Sequence, residues 1–249
     1  MKKYKGKKSI AVITARGGSK GVSRKNIRLL NGKPVLWYSL SAALKSKYLS
    51  KVVVSSEDGE ILRAAGKYGG REVPLRRPKS LAKDTSPSAP VIEHAVKMVE
   101  KKMGEKFDNV ILIQPSTPFI RAEDIDACIK KLVDTKCDTV VSVYEANDSH
   151  PLKMKKIVKG RLVQYVEGTK EHVWRRQDLP PVYKRNGGIY ANTREMIMKY
   201  GYYHGSAGVC RAHIMSSERS VDINNMADFY LAEVIAKILR NKSRKNTKI

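Results

Sequence analysis

Glycines and cations lie together near the start of the chain, in the stretch ARGGSKGVSRKN of residues 15–26. The residues concerned are Gly17, Gly18, Gly21, Arg16, Lys20, Arg24 and Lys25. Glycines let backbone N–H groups turn into one concavity, and cations around it attract phosphate oxygens. The spacing matches neither the P-loop nor the dinucleotide GxGxxG pattern. It therefore predicts a phosphate-binding loop of another kind, and a glycine turn with solvated cations is the alternative that the loop alone leaves open.

The elements around this loop are those of an α/β fold. Residues 9–15 form an apolar run that predicts a buried parallel strand, and residues 33–47 after the loop show helical spacing of apolar residues. Further strand patterns cover 51–56, 71–77, 109–116 and 138–146, and further helix patterns cover 58–68, 88–103 and 121–135. The alternation predicts a three-layer, mostly parallel sheet with helices on both faces, and ligands at the carboxyl ends of the strands.

The alternation stops between about residues 147 and 183. Two short β-like pieces within 153–168 are followed there by the Arg- and Pro-rich segment VWRRQDLPPVYK. We interpret this stretch as a small lobe inserted into a single domain that spans residues 1–249. The pattern of 187–200 and a terminal helix from about 226 to 239 return the chain to the main domain.

The overall charge favours anionic partners. The 249 residues include 49 Lys and Arg against 24 Asp and Glu, which gives a formal net charge of +25. Such an excess attracts nucleic acids, membrane surfaces, nucleotides and sugar acids. Because the sequence has no helix-turn-helix, zinc-finger or RNP-type motif, we expect no specific nucleic-acid partner.

Cysteine content and hydropathy favour the cytoplasm. Cys128, Cys137 and Cys210 are widely spaced and lack CxxC spacing, so they predict neither a disulfide framework nor a zinc site. The apolar run at residues 9–15 is too short for a secretory signal peptide, and no later segment has the length of a transmembrane span. We therefore expect a cytoplasmic protein without a membrane partner.

Six stretches, in order, resemble the acylneuraminate cytidylyltransferase (CMP-N-acetylneuraminic acid synthetase) family. They are residues 14–34, 76–88, 111–121, 149–155 together with 175–180, 185–193, and 220–229. The resemblance implies a nucleotide-diphospho-sugar transferase-like (Rossmann-like) fold. It also implies that the anomeric hydroxyl of a nine-carbon α-keto sugar acid attacks the α-phosphate of CTP, which releases pyrophosphate and forms a CMP-sugar. The family further implies a homodimer in which the inserted lobe reaches the partner's site.

The resemblance assigns nucleotide-binding and catalytic roles to the matching residues. The residues expected to bind CTP are Arg16, Gly17, Lys20, Lys25, Asn26, Arg77 and Ser88. Arg16, Lys25 and Asp222 are the expected catalytic residues. Cations at the phosphates would compensate the charge that moves onto the departing pyrophosphate.

A second group of matching residues is expected to bind the sugar acid. These residues are Gln114, Lys153, Arg176, Asn186, Tyr202 and Tyr203. Gln114 ends a buried strand, where an amide is costly unless it is paired, so its position also indicates a polar ligand. An arginine fork such as that of Arg176 suits a carboxylate better than a lysine does. Tyr202 and Tyr203 occupy the place of a family aromatic pair that packs on the N-acyl group.

Two departures from the family pattern bear on the chemistry. The chain has Asp222, Ile223 and Asn224 where the family has two aspartates that hold Mg²⁺. Positions two apart on a strand share a face, and an amide oxygen remains acceptable to a hard cation. We therefore expect Mg²⁺ as the cofactor, bound by Asp222 and Asn224 more weakly than by two aspartates. Substrate phosphates or Asp228 would supply the remaining ligands. Arg185 replaces a common proline, which adds a cation beside the sugar pocket and indicates a legionaminic- or pseudaminic-type acid.

Two alternatives stay open at this point. The substrate can be another acidic keto sugar, such as the eight-carbon keto acid of lipopolysaccharide, although the motifs at 149–155 and 175–180 belong to the acylneuraminate pattern. The second alternative is a catalytically weak nucleotide- or RNA-binding relative, which the net charge and Asn224 favour. The sugar-side residues Gln114 and Arg176 argue against it, because a nucleotide-binding protein has no evident use for them.

Overall fold

A computed structural model describes residues 1–82, 87–146, 149–168, 179–201, 204–205 and 208–246 of the chain. The strands are β1 Ser9–Thr14, β2 Leu29–Leu30, β3 Lys33–Pro34, β4 Leu49–Ser56, β5 Pro74–Arg76, β6 Asn109–Ile113, β7 Thr139–Glu145, β8 Lys155–Val158, β9 Arg161–Gln164, β10 Tyr183–Thr193 and β11 Cys210–Ile214. The helices are α1 Val35–Lys45, α2 Gly59–Gly69, α3 Ser88–Met103, α4 Ala122–Asp134, α5 Arg194–Met198 and α6 Met226–Asn246.

Seven of the strands form one sheet in the order β11-β7-β10-β6-β1-β4-β5. The pairs β1–β4, β1–β6, β4–β5 and β7–β11 are parallel, whereas β10 runs antiparallel to both of its neighbours, β6 and β7. The predicted mostly parallel α/β sheet is therefore confirmed. The sequence patterns did not predict β11 or the short β2–β3 hairpin.

The sheet is buried on both faces. In β1, Ala11 and Ile13 pack with side chains of α1, α2 and α4, while Ile10 and Val12 pack with side chains of α3 and α5. All four are fully buried, which explains why the sequence of β1 is a continuous apolar run and does not alternate between apolar and polar residues. The result is the predicted three-layer arrangement.

Helix α6 packs against the start of α1 and the loops that follow β1 and β6. Its residues Phe229, Ala232 and Ala236 pack in a third apolar cluster with Val22 and Val35, among others. The helix was predicted to end near residue 239 and instead continues to Asn246. The apolar periodicity stops at that point, but the following Lys and Arg residues have good helix propensity.

The region between 147 and 183 contains a hairpin of β8 and β9, which form a separate two-stranded sheet. His150, only 5% exposed, lies at the base of this region. Its Nδ1 accepts a hydrogen bond from the backbone N–H of Leu152 at 3.2 Å, and its Nε2 lies 3.0 Å from the carbonyl oxygen of Pro180. The ring therefore ties the two ends of the region together. No helix within the described ranges has the length and apolar character needed to cross a bilayer.

Candidate active site

A cavity of about 380 Å³ lies at the carboxyl edge of β1 and β6. Its lining includes most of the residues that the sequence predicted for the nucleotide, and also Gln114 and Asn224. These residues are Arg16, Lys20, Lys25, Asn26, Arg77, Ser88, Gln114 and Asn224. Residues that are far apart in sequence thus meet at the edge where an α/β sheet binds its ligands. The cations make the cavity suitable for a polyphosphate.

Glu57 fixes the first glycine of the loop. Its Oε1 accepts the backbone N–H of Gly17 at 2.7 Å, and its Oε2 accepts Nε and Nη2 of Arg77 at 3.0 and 2.8 Å. Arg77 is only 5% exposed, so the carboxylate also compensates a buried charge. Sequence reasoning missed Glu57, although its place directly after the carboxyl end of β4 was a usable signal.

Gly21 lies against the segment that carries Asp222 and Asn224. A Cβ at Gly21 would be 1.7 Å from the carbonyl oxygen and 2.9 Å from the carbonyl carbon of Asn224. A side chain of any size is therefore excluded at this position by contact with backbone. The glycine loop and the 222–224 segment meet directly because residue 21 has no side chain.

Lys25 and Asn26 hold the loop from its far side. Lys25 Nζ donates to the carbonyl oxygen of Ile223 at 2.7 Å, and Asn26 Nδ2 donates to the carbonyl oxygen of Arg16 at 2.9 Å. Burial lowers the pKa of Lys25, and the positive charge of Arg16 lowers it further, while Asp222 acts in the opposite direction. Lys25 is thus placed between the loop and the predicted metal-binding residues.

A second cavity of about 320 Å³ adjoins the first. Asn224 lines both cavities, and the second is also lined by Asp222, Lys184 and Arg185. Gln114 Oε1 and Asp222 Oδ2 lie 3.5 and 3.6 Å from the position that a Cβ at Gly187 would take. Gly187 has a φ of 77°, a left-handed conformation that favours glycine. Gln114 and Asp222, which were predicted to bind the sugar and to take part in catalysis, therefore both lie beside Gly187.

Asn186 lies in the wall of the second cavity and is 2% exposed. Its Oδ1 accepts from Ser142 Oγ at 2.6 Å and from the backbone N–H of Gly188 at 3.0 Å. Its Nδ2 donates to Ser220 Oγ at 3.0 Å and contacts Met215 Sδ at 3.2 Å. The amide that was expected to contact the sugar is therefore engaged by the protein and shapes the pocket.

The remaining sugar-side predictions concern the inserted region and a tyrosine pair. Lys153 is exposed at the end of the turn Pro151–Lys153, and it lines neither of the two cavities described above. Arg176, Tyr202 and Tyr203 lie outside the described residues. For these three, the assignment remains a prediction from the sequence.

Asp222 and Asn224 have the chemistry that Mg²⁺ requires. Asp222 Oδ1 is buried without a hydrogen-bond partner, and Asn224 Nδ2 donates to Asp222 Oδ2 at 2.9 Å. An unpartnered carboxylate oxygen beside an amide fits a hard cation that prefers oxygen. No cluster of three or more His, Cys, Asp or Glu residues suited to a metal occurs in the described part of the chain. The predicted Mg²⁺ ligands in the described part of the chain are therefore this carboxylate and this amide.

Asp228 has a structural role at the start of α6. Its Oδ2 accepts the backbone N–H groups of Asn224 and Asn225 at 2.8 and 3.1 Å, and its own N–H donates to Asn225 Oδ1 at 3.0 Å. These reciprocal bonds cap the start of α6. Asp228 also lines the second cavity beside Asp222 and Asn224, so both expected sources of further metal ligands, substrate phosphates and Asp228, stay predictions.

Comparison with solved structures defines the class of fold. The chain superposes on CMP:2-keto-3-deoxy-manno-octonic acid synthetase complexed with CTP with a TM-score of 0.66 and 18% identity, covering 94% of this chain and 99% of that chain. The likeness confirms the Rossmann-like fold that the family resemblance implied. A family model described as cytidylyltransferase matches residues 10–235. The chain belongs to the cytidylyltransferase family, which confirms the family inferred from the six sequence stretches.

Three relatives align over most of this chain. It is 32% identical to CMP-N,N'-diacetyllegionaminic acid synthase of Legionella pneumophila, over 92% of this chain and 96% of that protein. It is 27% identical to pseudaminic acid cytidylyltransferase of Campylobacter jejuni, over 93% of this chain and 97% of that protein. It is 31% identical to N-acylneuraminate cytidylyltransferase of Escherichia coli, over 92% of this chain and 52% of that protein.

Proposed function

We propose that this protein transfers a cytidylyl group from CTP to a nonulosonic acid, giving a CMP-sugar and pyrophosphate. The observation that carries the proposal is the pair of adjoining cavities that share Asn224. One is lined by the cations of the glycine loop and suits a triphosphate, and the other is lined by Lys184 and Arg185 and suits an acid. The three relatives act, by name, on legionaminic, pseudaminic and N-acylneuraminic acids.

In this reaction the anomeric hydroxyl of the sugar gives up its proton to solvent as its oxygen forms a bond to the α-phosphorus. The bond from that phosphorus to the oxygen that bridges to the β-phosphate breaks, and pyrophosphate leaves. Negative charge moves onto the departing pyrophosphate, where Arg16, Lys20 and Lys25 would compensate it. Gln114, at the end of β6, would orient the sugar beside the phosphates. Asp222 and Asn224 would hold Mg²⁺, which when bound supplies further charge neutralisation at the phosphates. Catalysis here depends on positioning and charge rather than on a covalent intermediate.

We further propose that the acid is of the legionaminic or pseudaminic type. The support is Arg185, an exposed residue in the lining of the second cavity, together with the two relatives named for these acids. Arg185 stands where the acylneuraminate pattern commonly has a proline, so the pocket differs from that pattern at this position. The eight-carbon keto acid is the alternative within the class, and it is supported by a likeness in fold.

We also propose a homodimer that forms through the β8–β9 hairpin. Ile157 and Leu162 are 75% and 68% exposed on this hairpin, and Tyr165 just after it is 58% exposed. Adjacent apolar side chains with this exposure mark a surface for association. Sedimentation velocity of the wild type and of a Leu162→Lys variant tests this proposal. We expect a dimer for the first and a shift toward monomer for the second.

The activity is tested by measuring pyrophosphate release with CTP and Mg²⁺ across four acids. These acids are legionaminate, pseudaminate, N-acetylneuraminate and the eight-carbon keto acid. We expect release that depends on both CTP and one of the first two acids. Release only with the eight-carbon acid would shift the substrate to the alternative, and CTP binding without release from any acid would favour a catalytically weak relative.

A further inference from the structure

We infer that a third cavity binds an amphipathic anion, and that the bound anion strengthens the binding of CTP at the active site. This cavity has a volume of about 710 Å³ and lies between α1, the loop after β6 and α6. Of the residues that the structure describes, none lines both this cavity and either of the other two. The effect on CTP rests on the proposed function, whereas the binding of the anion does not.

The interior of the third cavity is apolar and aromatic. Phe119 and Ile120 line it and are only 6% and 4% exposed. The rings of Trp37, Tyr38 and Phe119 form a row, with centroids 5.1 Å apart in the first pair and 6.0 Å apart in the second. Tyr38 Oη donates to the carbonyl oxygen of Leu30 at 2.7 Å, so this residue offers the cavity its ring rather than its hydroxyl. Such a wall suits a planar apolar ligand, and the volume is typical of small-molecule sites.

The charged residues that line the third cavity are mostly cations. Within the described part of the chain they are Lys33, Lys45, Arg121, Arg240 and one carboxylate, Glu123. All five are exposed, so they surround the apolar interior. Lys33 Nζ lies 5.7 Å from the centroid of the Trp37 ring, which places positive charge beside the aromatic row. The complementary ligand has a planar apolar body and carries an anionic group such as a carboxylate, a sulfonate or a phosphate.

One short loop joins the third cavity to the active site. Residues 114–116 line the first cavity and residues 118–121 line the third. Between them, Thr117 is fully buried, and its Oγ1 donates to the carbonyl oxygen of Asn186 at 2.6 Å. The carbonyl oxygen of Ser116 accepts the backbone N–H of Ile223 at 2.8 Å. A ligand in contact with Phe119 therefore restrains the loop that also holds the wall of the nucleotide cavity.

Helix α6 forms a second connection. Ala236, Leu239 and Arg240 of this helix line the third cavity, and Asp228 at its start accepts the backbone N–H of Asn224, a residue of the first cavity. A ligand that holds the loop and the helix in place reduces the ordering that CTP must impose when it binds. We therefore expect the anion to strengthen CTP binding, and CTP to strengthen the binding of the anion by the same factor.

The test of binding uses the fluorescent anion 8-anilinonaphthalene-1-sulfonate and its uncharged counterpart, N-phenyl-1-naphthylamine. We expect the wild type to bind the sulfonate saturably at one site per chain. Arg240→Glu reverses a charge of the third cavity, so it should weaken the sulfonate about fivefold or more and leave the uncharged probe nearly unchanged. Lys237→Glu is the matched control, because this exposed residue of the same helix does not line the cavity. It should bind both probes as the wild type does.

Two outcomes of this test would overturn the inference. The first is equal binding of the sulfonate by the wild type and by Arg240→Glu. The second is a loss of sulfonate binding in Leu162→Lys without a loss in Arg240→Glu, which would place the probe on the exposed β8–β9 hairpin.

A second measurement tests the effect on CTP. Equilibrium dialysis with labelled CTP should show binding to the wild type that strengthens about threefold or more when the sulfonate saturates its site. Displacement of the sulfonate by CTP would place the probe in the nucleotide cavity and overturn the inference, as would CTP binding that the sulfonate does not change. Strengthened CTP binding without pyrophosphate release from any acid would instead overturn the proposed function and leave the third cavity as a binding site.

Discussion

Replacing Gly21 by alanine tests the contact between the glycine loop and the segment that carries Asp222 and Asn224. The new Cβ would lie 1.7 Å from the carbonyl oxygen of Asn224, whereas real Cβ contacts stay beyond 3.0 Å. The difference, 3.0 − 1.7 = 1.3 Å, is the least by which the loop and the segment must separate. Because the obstructing atom belongs to the backbone, no rotamer change relieves the contact. A displacement of about 1 Å among catalytic groups costs about 100-fold in rate, or about 2.7 kcal/mol.

Gly18→Ala is the matched control for this change. A Cβ at Gly18 would have no neighbour within 4 Å, and neither glycine has a positive φ. The two variants therefore differ in the steric contact rather than in backbone freedom. The assay is pyrophosphate release under saturating and limiting CTP, together with thermal unfolding. We expect kcat/KM for CTP to fall about 100-fold in Gly21→Ala and less than about threefold in Gly18→Ala. Equal effects in the two variants would refute the reasoning.

Three further predictions concern single side chains. Lys25→Ala should lower turnover by about 100-fold or more, while the free energy of unfolding falls by about 1 kcal/mol, the value of one hydrogen bond. A fall in the free energy of unfolding as large as the rise in the activation free energy would indicate a structural role. Glu57→Gln should destabilise the fold by about 3 kcal/mol, because it leaves the buried Arg77 without its ion pair, and should raise the KM for CTP through the loosened Gly17. Urea unfolding and initial rates measure the two effects. Burial alone would raise the pKa of Asp124, but hydrogen bonds from His213 and Arg219 outweigh it and lower the pKa from 3.8 to about 2. The ionised Asp124 therefore stabilises the fold by about 2 kcal/mol above pH 3.8, and this contribution is lost as the pH falls toward 2. The Asp124→Asn variant should be less stable than the wild type at pH 7 and nearly as stable as the wild type near pH 2.

The local elements of the fold were predictable because their signals are local. The apolar run of β1 and the helical spacing of α3 depend on residues within one window, and the structure places both elements where the patterns indicate. The antiparallel insertion of β10 between β6 and β7 was not predictable, since strand pairing joins residues far apart in sequence. The edge strand β11, with most of its residues exposed, lacks the apolar pattern that marks a buried strand.

The residues of the candidate site also fall into those that the sequence predicted and those that it did not. The motif residues Arg16, Lys25 and Gln114, which line the first cavity, could be predicted because each motif keeps its own short spacing. Glu57 was missed because its role arises only when the loop after β1 approaches the segment after β4. Likewise, the internal hydrogen bonds of Asn186 depend on partners from separate parts of the chain, which no spacing rule connects.

The hydrogen bonds of Asn186 have a consequence for engineering the enzyme toward other sugars. One amide joins β7, β10 and the turn at Ser220, so its replacement would disturb three parts of the pocket wall at once. The rim of the same pocket is formed by exposed residues, among them Lys184, Arg185 and Leu231. Substitutions at such exposed positions usually cost little stability. Libraries aimed at sugar tolerance should therefore vary the rim and keep residue 186 constant.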